Sequence, residues 1–142
     1  MKKNKKLLLI ILIPIIIIGC IIAFNSFSVA SIESIQTTWN IKIPDNGKET
    51  YTTNDENGYS YSTFKYENIN KLDKSLDWKT EKDYDFEIKV REILQQLNIE
   101  KDNYPNFYSH YKFYENTKDD GSVLYLIFND SDKTLVIAEH MV

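Results

Sequence analysis

Eighteen consecutive residues, Leu7 to Phe24, carry no charge and no strongly polar side chain, and a run of that kind needs a dry environment. A helix of that length spans roughly 27 Å, enough for the hydrocarbon core of a bilayer. In lipid such a helix satisfies its own backbone hydrogen bonds, and Pro14 removes only one of them. Lys2, Lys3, Lys5 and Lys6 precede the run, so the positive-inside rule keeps that end in the cytoplasm and sends the rest of the chain outside. The expected organisation is a membrane anchor or signal segment over residues 1–24, a stalk over 25–38 and one extracytoplasmic domain over 39–142.

Two forms of anchor fit these residues. Ile17-Ile18-Gly19-Cys20 resembles the bacterial lipobox, which implies a lipidated Cys20 as the mature N-terminus and a protein held by lipid at the outer face of the membrane. Ile21, Ile22, Ala23 and Phe24 continue the apolar run past the cysteine, which suits an uncleaved transmembrane helix. Both forms give the same address, a bacterial cell membrane with the domain outside.

Cys20 is the sole cysteine of the 142 residues, so the domain forms no internal disulfide and has to stand on its core. That pattern suits an exported protein of a Gram-positive bacterium better than a small bridged eukaryotic domain. Four of the 17 basic residues precede the apolar run while all 21 acids follow it, leaving the domain with a net charge of −8. Such a surface repels phosphate backbones, so nucleic acid is not an expected partner.

Periodicity predicts an α+β domain with the order β-β-α-β-β-β, an antiparallel sheet with one helix packed on it. Trp39, Ile41 and Ile43 alternate with polar residues and predict a first strand, followed by a polar loop from Pro44 to Asn57. Tyr59 to Tyr66 predicts the second strand. Thr80-Glu81-Lys82-Asp83 resembles a capping box and opens a helix to about Leu97, with Phe86, Val90, Ile93, Leu94 and Leu97 on one face. Asn98 suits the left-handed end of that helix, and Ile99 can then fold back onto Leu94. Tyr108 to Glu115 predicts a third strand. Val123 to Phe128, apolar throughout, predicts a central strand covered on both faces, and Leu135 to Val142 the last. Asp119-Asp120-Gly121 and Asn129-Asp130-Ser131-Asp132 supply the turns between them.

No catalytic motif stands out. His110 and His140 lack companions at metal-ligand spacing, so no metal and no cofactor are expected. The acidic turns miss the spacing of a calcium loop and are what hairpins require. No GxSxG and no phosphate-binding glycine pattern occurs. Two of the 21 acids brought together by the fold remain the one route to hydrolysis. The tyrosines are the residues suited to recognition, because each ring offers apolar area and a hydroxyl. Tyr59, Tyr61, Tyr104, Tyr108, Tyr111 and Tyr114 are the candidates for contact with an extracytoplasmic protein, peptide or glycan.

Ile43-Pro44, Tyr51, Gly58-Tyr59, Phe64-Lys65-Tyr66 and Trp78-Lys79 together resemble small membrane-anchored or lipoprotein-like exported proteins of low-GC Gram-positive bacteria. The resemblance implies an address and transfers no functional residue. The expected function is a non-enzymatic, membrane-tethered binding module. The alternatives are a small envelope hydrolase using paired carboxylates, and a folded inhibitor or immunity-type protein that presents the Pro44 to Asn57 segment to an exported enzyme or toxin.

Overall fold

The computed structural model describes residues 31–142. The anchor expected over residues 1–24, Cys20 with it, and the first part of the stalk lie outside the described residues. Among the described residues no helix is long and apolar enough to cross a membrane.

The chain forms α1 (Ile32–Trp39), β1 (Lys48–Asn54), β2 (Tyr59–Lys65), a short α2 (Asn70–Asp73), α3 (Tyr84–Gln96), a 3-10 turn (Lys101–Asn103), β3 (Lys112–Thr117), β4 (Val123–Asn129) and β5 (Thr134–His140). The five strands make one sheet in the order β1-β2-β5-β4-β3, and every neighbouring pair is antiparallel. The domain is α+β.

Side chains on a strand alternate between faces, and β4 and β5 use both. Leu124, Leu126, Phe128, Leu135 and Ile137 join one buried cluster, while Tyr125, Ile127, Val136 and Ala138 join another on the opposite face. This is why Val123 to Phe128 has no polar alternation. Helix α3 covers the second face with Phe86, Val90, Ile93 and Leu94. The first face is covered by α1, the extended strap that follows it, and α2, through Ile32, Ile35, Trp39, Ile41, Ile43 and Leu72.

The strap corrects the first expected strand. Ser31 caps α1 through its side chain, and Asn40 leaves the helix with a left-handed φ of 50°. The amide of Ile41 then reaches back to the carbonyl of Gln36 at 3.2 Å, a Schellman closure. Trp39, Ile41 and Ile43 are buried as their alternation implied, yet the segment belongs to no strand. Residues 32–38, expected as stalk, form α1 and contribute Ile32 and Ile35 to the core.

The true first strand lies inside the expected polar loop. β1 reads Lys-Glu-Thr-Tyr-Thr-Thr-Asn, with only its middle residues partly buried. It is held to β2 by its ladder and by cross-strand hydroxyl pairs, Thr50 with Thr63 at 2.7 Å and Thr52 with Ser62 at 2.9 Å. Hydroxyl pairs of this kind stabilise an antiparallel edge without apolar side chains. A bulge lies between Glu49 and Tyr51.

Helix α3 starts later than its sequence suggests. Lys79 exchanges two backbone hydrogen bonds with Phe113 on β3, at 2.8 and 2.9 Å, which keeps the chain extended ahead of the helix. Asp83, not Thr80, becomes the cap, its carboxylate accepting from the amide of Phe86 at 3.0 Å. At the far end Asn98 takes a φ of 51°, and the amide of Ile99 donates to the carbonyl of Leu94 at 2.9 Å. The third strand also starts later, at Lys112, because residues 106–109 are taken up by a turn in which Asn106 accepts from the amides of Tyr108 and Ser109.

The Lys79 bridge carries a pH dependence. Lys79 donates to Glu115 at 2.9 Å and Lys89 stands 3.5 Å from its other oxygen. The Lys79 hydrogen bond, against a smaller opposing effect of burial and with help from Lys89, holds the Glu115 carboxyl below its ordinary pKa. A carboxylate whose folded pKa is depressed stabilises the fold above its unfolded value, about 4.3, and that contribution is lost as pH falls through the folded value. Melting scans between about pH 6 and pH 3 are therefore expected to show a shallower loss of Tm for Glu115→Gln than for the unaltered chain. An identical slope would remove this ion pair from the acid response.

Candidate functional site

The six tyrosines singled out by sequence separate into different environments. Tyr59, Tyr61 and Tyr104 share the α3 side of the sheet, together with Tyr51. Tyr111 lies on that side as well but is buried, its hydroxyl donating to the carboxylate of Glu87 at 2.8 Å. Burial first, and then the Glu87 carboxylate, raise the Tyr111 pKa. Its role is to tie the segment before β3 to α3. Tyr114 belongs to the opposite face, and Tyr108 stands 97% exposed on the turn before β3.

The grouping on the α3 side follows from strand register. Thr53 of β1 is opposite Tyr61 of β2, and Tyr51 is opposite Thr63, so the tyrosines at 51, 59 and 61 project to the same face. Tyr51 meets Tyr61 edge to face with ring centres 6.0 Å apart. Tyr61 is fully buried and donates its hydroxyl to the carbonyl of Asn103 at 2.6 Å, which fixes the 3-10 turn and brings Tyr104 alongside. Burial, followed by the neighbouring Tyr51 and Tyr104, raises the Tyr61 pKa. Tyr61 thus forms the floor of an aromatic ledge, and the partly exposed Tyr51 and Tyr104 form its surface.

Two concavities open on the α3 side of the sheet. One, of about 220 Å³, lies over β2, β5 and β4 between the 3-10 turn and the β4–β5 turn. Its base is Tyr61, Ile127 and Val136, and its rim carries Asp102 and Asp132. The other, of about 350 Å³, lies between α3 and the ends of the strands, where Tyr59 and His140 meet Lys89, Glu92 and Gln96. The register sets Tyr59 opposite His140, and their rings stack with centres 4.0 Å apart and a 9° interplanar angle. A larger opening of about 650 Å³ borders the N-terminus of α3, lined by lysines and acids of both signs. There Lys82 lies over the ring of the exposed Tyr84.

For Asp55, partial burial works against ionisation, but the Tyr59 amide, Asn57 and the nearby His140 outweigh it and the pKa falls. Asp120 is lowered by the amide and hydroxyl of Ser122, and Glu115 by its lysines. Among the described residues no group of three or more His, Cys, Asp or Glu is placed to hold a metal ion.

Sequence reading passed over Tyr51 and His140 as site residues. Tyr51 lies in a polar stretch with no strand periodicity, and the Tyr59–His140 stack joins residues far apart in the chain. Neither contact is visible before the strands are paired. Comparisons with protein-family models, with curated proteins and with solved structures find no match for the chain.

Proposed function

We propose that the chain is a non-enzymatic binding module tethered to the outer face of a bacterial membrane. The observation that carries this reading is the Tyr51–Tyr61–Tyr104 ledge, an aromatic surface with a rigid floor, whose Tyr61 and Tyr104 also line a concavity. Aromatic groups on a rigid base are the usual anchors of protein and peptide interfaces, since they bury area at low cost in side-chain freedom. The apolar run Leu7 to Phe24 with its preceding lysines is the basis for the tether. Seven residues, 25–31, separate that run from α1, a reach of at most about 25 Å. The module therefore works against the membrane surface, on a partner that is membrane-borne or lies close by.

The test uses intact cells of the producing bacterium with a photo-crosslinking residue at Tyr104. External protease is expected to digest the domain, and illumination to yield one discrete adduct that weakens severalfold in a Tyr51→Ala background. A chain recovered in the cytosol, or adducts unchanged by Tyr51→Ala, would defeat the reading. Intact mass separates the two tethers. A chain lacking Met1 to Gly19 with a diacylglycerol on Cys20 is the lipoprotein, and a full-length membrane-bound chain is the helix.

One observation favours the hydrolase alternative, namely that Asp102 and Asp132 line the same concavity. If they act on an envelope polymer, Asp102→Asn and Asp132→Asn each abolish product release from purified cell wall. If the chain only binds, neither variant changes it.

A further inference from the structure

We propose that the module takes its partner by strand addition, a basic extended segment of the partner pairing with the open edge of β1. The proposal rests on the binding-module reading and names how the partner is held.

The two edges of the sheet differ. At β3 the outer edge is occupied at Phe113 by Lys79, through backbone bonds in both directions. At β1 no described residue pairs with the outer edge. The amide of Asp55 donates inward to the carbonyl of Tyr59 at 3.0 Å. Because inward and outward backbone groups alternate along an antiparallel strand, Thr53 faces β2 while Thr52 and Asn54 present their N–H and C=O groups outward. Such an edge is a template for another strand unless it is blunted by charge, proline, a bulge or cover, and on β1 Lys48, Glu49 and the bulge blunt the first half only. The bulge at Thr50 limits this template to the second half of β1, which suits a short partner segment.

The charge around that edge selects the partner. Lys48 and its partner Lys65 lie at the far end of the β1–β2 pair. The second half of β1 and the turn after it, from Tyr51 to Asn57, carry Asp55 and Glu56 and no basic residue, with Asp45 and Glu49 further back along the chain. Asp45, Glu49 and Glu56 are exposed, and the domain as a whole stands at −8. A second copy of β1 would bring like charge to like charge, which is destabilising in a strand pair. A segment with lysine or arginine gains on approach and in register. Strand addition also accounts for the position of the ledge. Alternate residues of an added strand project to the α3 side next to Tyr51 and Thr53, so backbone bonds supply affinity and the tyrosines supply selectivity.

The experiment uses the full chain in detergent micelles and two short synthetic peptides, one alternating lysine with valine and one alternating glutamate with valine. Amide hydrogen exchange is followed residue by residue. With the lysine peptide, exchange at Thr52 and Asn54 is expected to slow about tenfold or more, as for amides entering a ladder; the glutamate peptide leaves it unchanged. Thr52→Pro removes one outward donor at a position where an edge strand tolerates proline and is expected to weaken binding about tenfold. Glu49→Lys with Glu56→Lys leaves the ladder intact and is expected to transfer the preference to the glutamate peptide. Equal protection by both peptides, protection away from β1, or concentration-dependent dimers through β1 without peptide would each overturn the proposal. Persistence of the Tyr104 adduct in cells while β1 stays unprotected rejects strand addition alone. Loss of the adduct as well rejects the binding module with it.

Discussion

Gly58→Ala is expected to lower the stability of the domain by about 3 to 5 kcal/mol, seen as a drop in Tm of roughly 12 to 20 °C. Gly58 has a φ of +85° and closes the β1–β2 turn, where a Cβ would lie 2.1 Å from the carbonyl oxygen of Met141. The obstacle is backbone, so no rotamer change relieves it. The carbonyl of Gly58 also accepts from the amide of Met141 at 2.9 Å, and moving the turn away to make room breaks that bond. Gly121 is an internal control. Its φ is +93°, but the nearest atom to an added Cβ is a methyl of Val142 at 3.8 Å. Gly121→Ala therefore carries backbone strain alone, about 1 kcal/mol. Thermal melts of the two variants side by side are the measurement. Equal losses would mean that the last residues of the chain do not lie against the β1–β2 turn.

Trp39→Ala is expected to remove a large share of the domain's stability, about 4 to 8 kcal/mol. Removing a buried tryptophan costs about 3 to 5 kcal/mol, against a total stability of about 5 to 15 kcal/mol for a domain of ordinary size. Trp39 is 4% exposed and closes α1 onto the sheet. Its indole N–H donates at 2.9 Å to the carboxylate of Glu139, which is itself buried on β5, while the Lys118 ammonium lies over the ring at 4.5 Å. The alanine variant thus opens a cavity and strips a buried carboxylate of its donor, a further penalty of about 1 to 3 kcal/mol. Trp39→Phe keeps most of the ring and loses the donor, so its expected cost is smaller, about 1 to 2 kcal/mol. Urea unfolding of both variants reads the difference. A normal midpoint for Trp39→Ala would mean that α1 is not held to the sheet through Trp39, and would return residues 32–38 to the status of a stalk.

Which elements were legible in sequence depends on whether their reason for existing is local. α3 announced itself because Phe86, Val90, Ile93 and Leu94 fall on one helical stripe and Asn98 suits a left-handed cap. β4 did so because six apolar residues between two turn signals have few other uses. The β3-β4-β5 meander followed from the tightness of those turns. The candidate face was only partly readable. Tyr59, Tyr61 and Tyr104 were identifiable as residue types suited to recognition, but Tyr111 and Tyr114 are the same residue type and serve a buried tie and the other face instead. Which side of the sheet a tyrosine takes is decided by its strand's partner and by the layer packed over it.

The residues alone determined an α+β domain, its principal helix, its central strands, its acidic surface and the expectation of a tether. Each of these follows from local periodicity, turn chemistry or a charge count. Tertiary structure alone decided that Trp39, Ile41 and Ile43 form a strap instead of a strand, that the polar stretch at Lys48–Asn54 is the edge of the sheet, and that Tyr51, Tyr61 and Tyr104 make one ledge. An edge strand needs little apolar signal when its neighbour supplies the ladder, and a buried strap alternates as a strand does. In both cases the hydrogen-bond partner, which lies elsewhere in the chain, makes the choice.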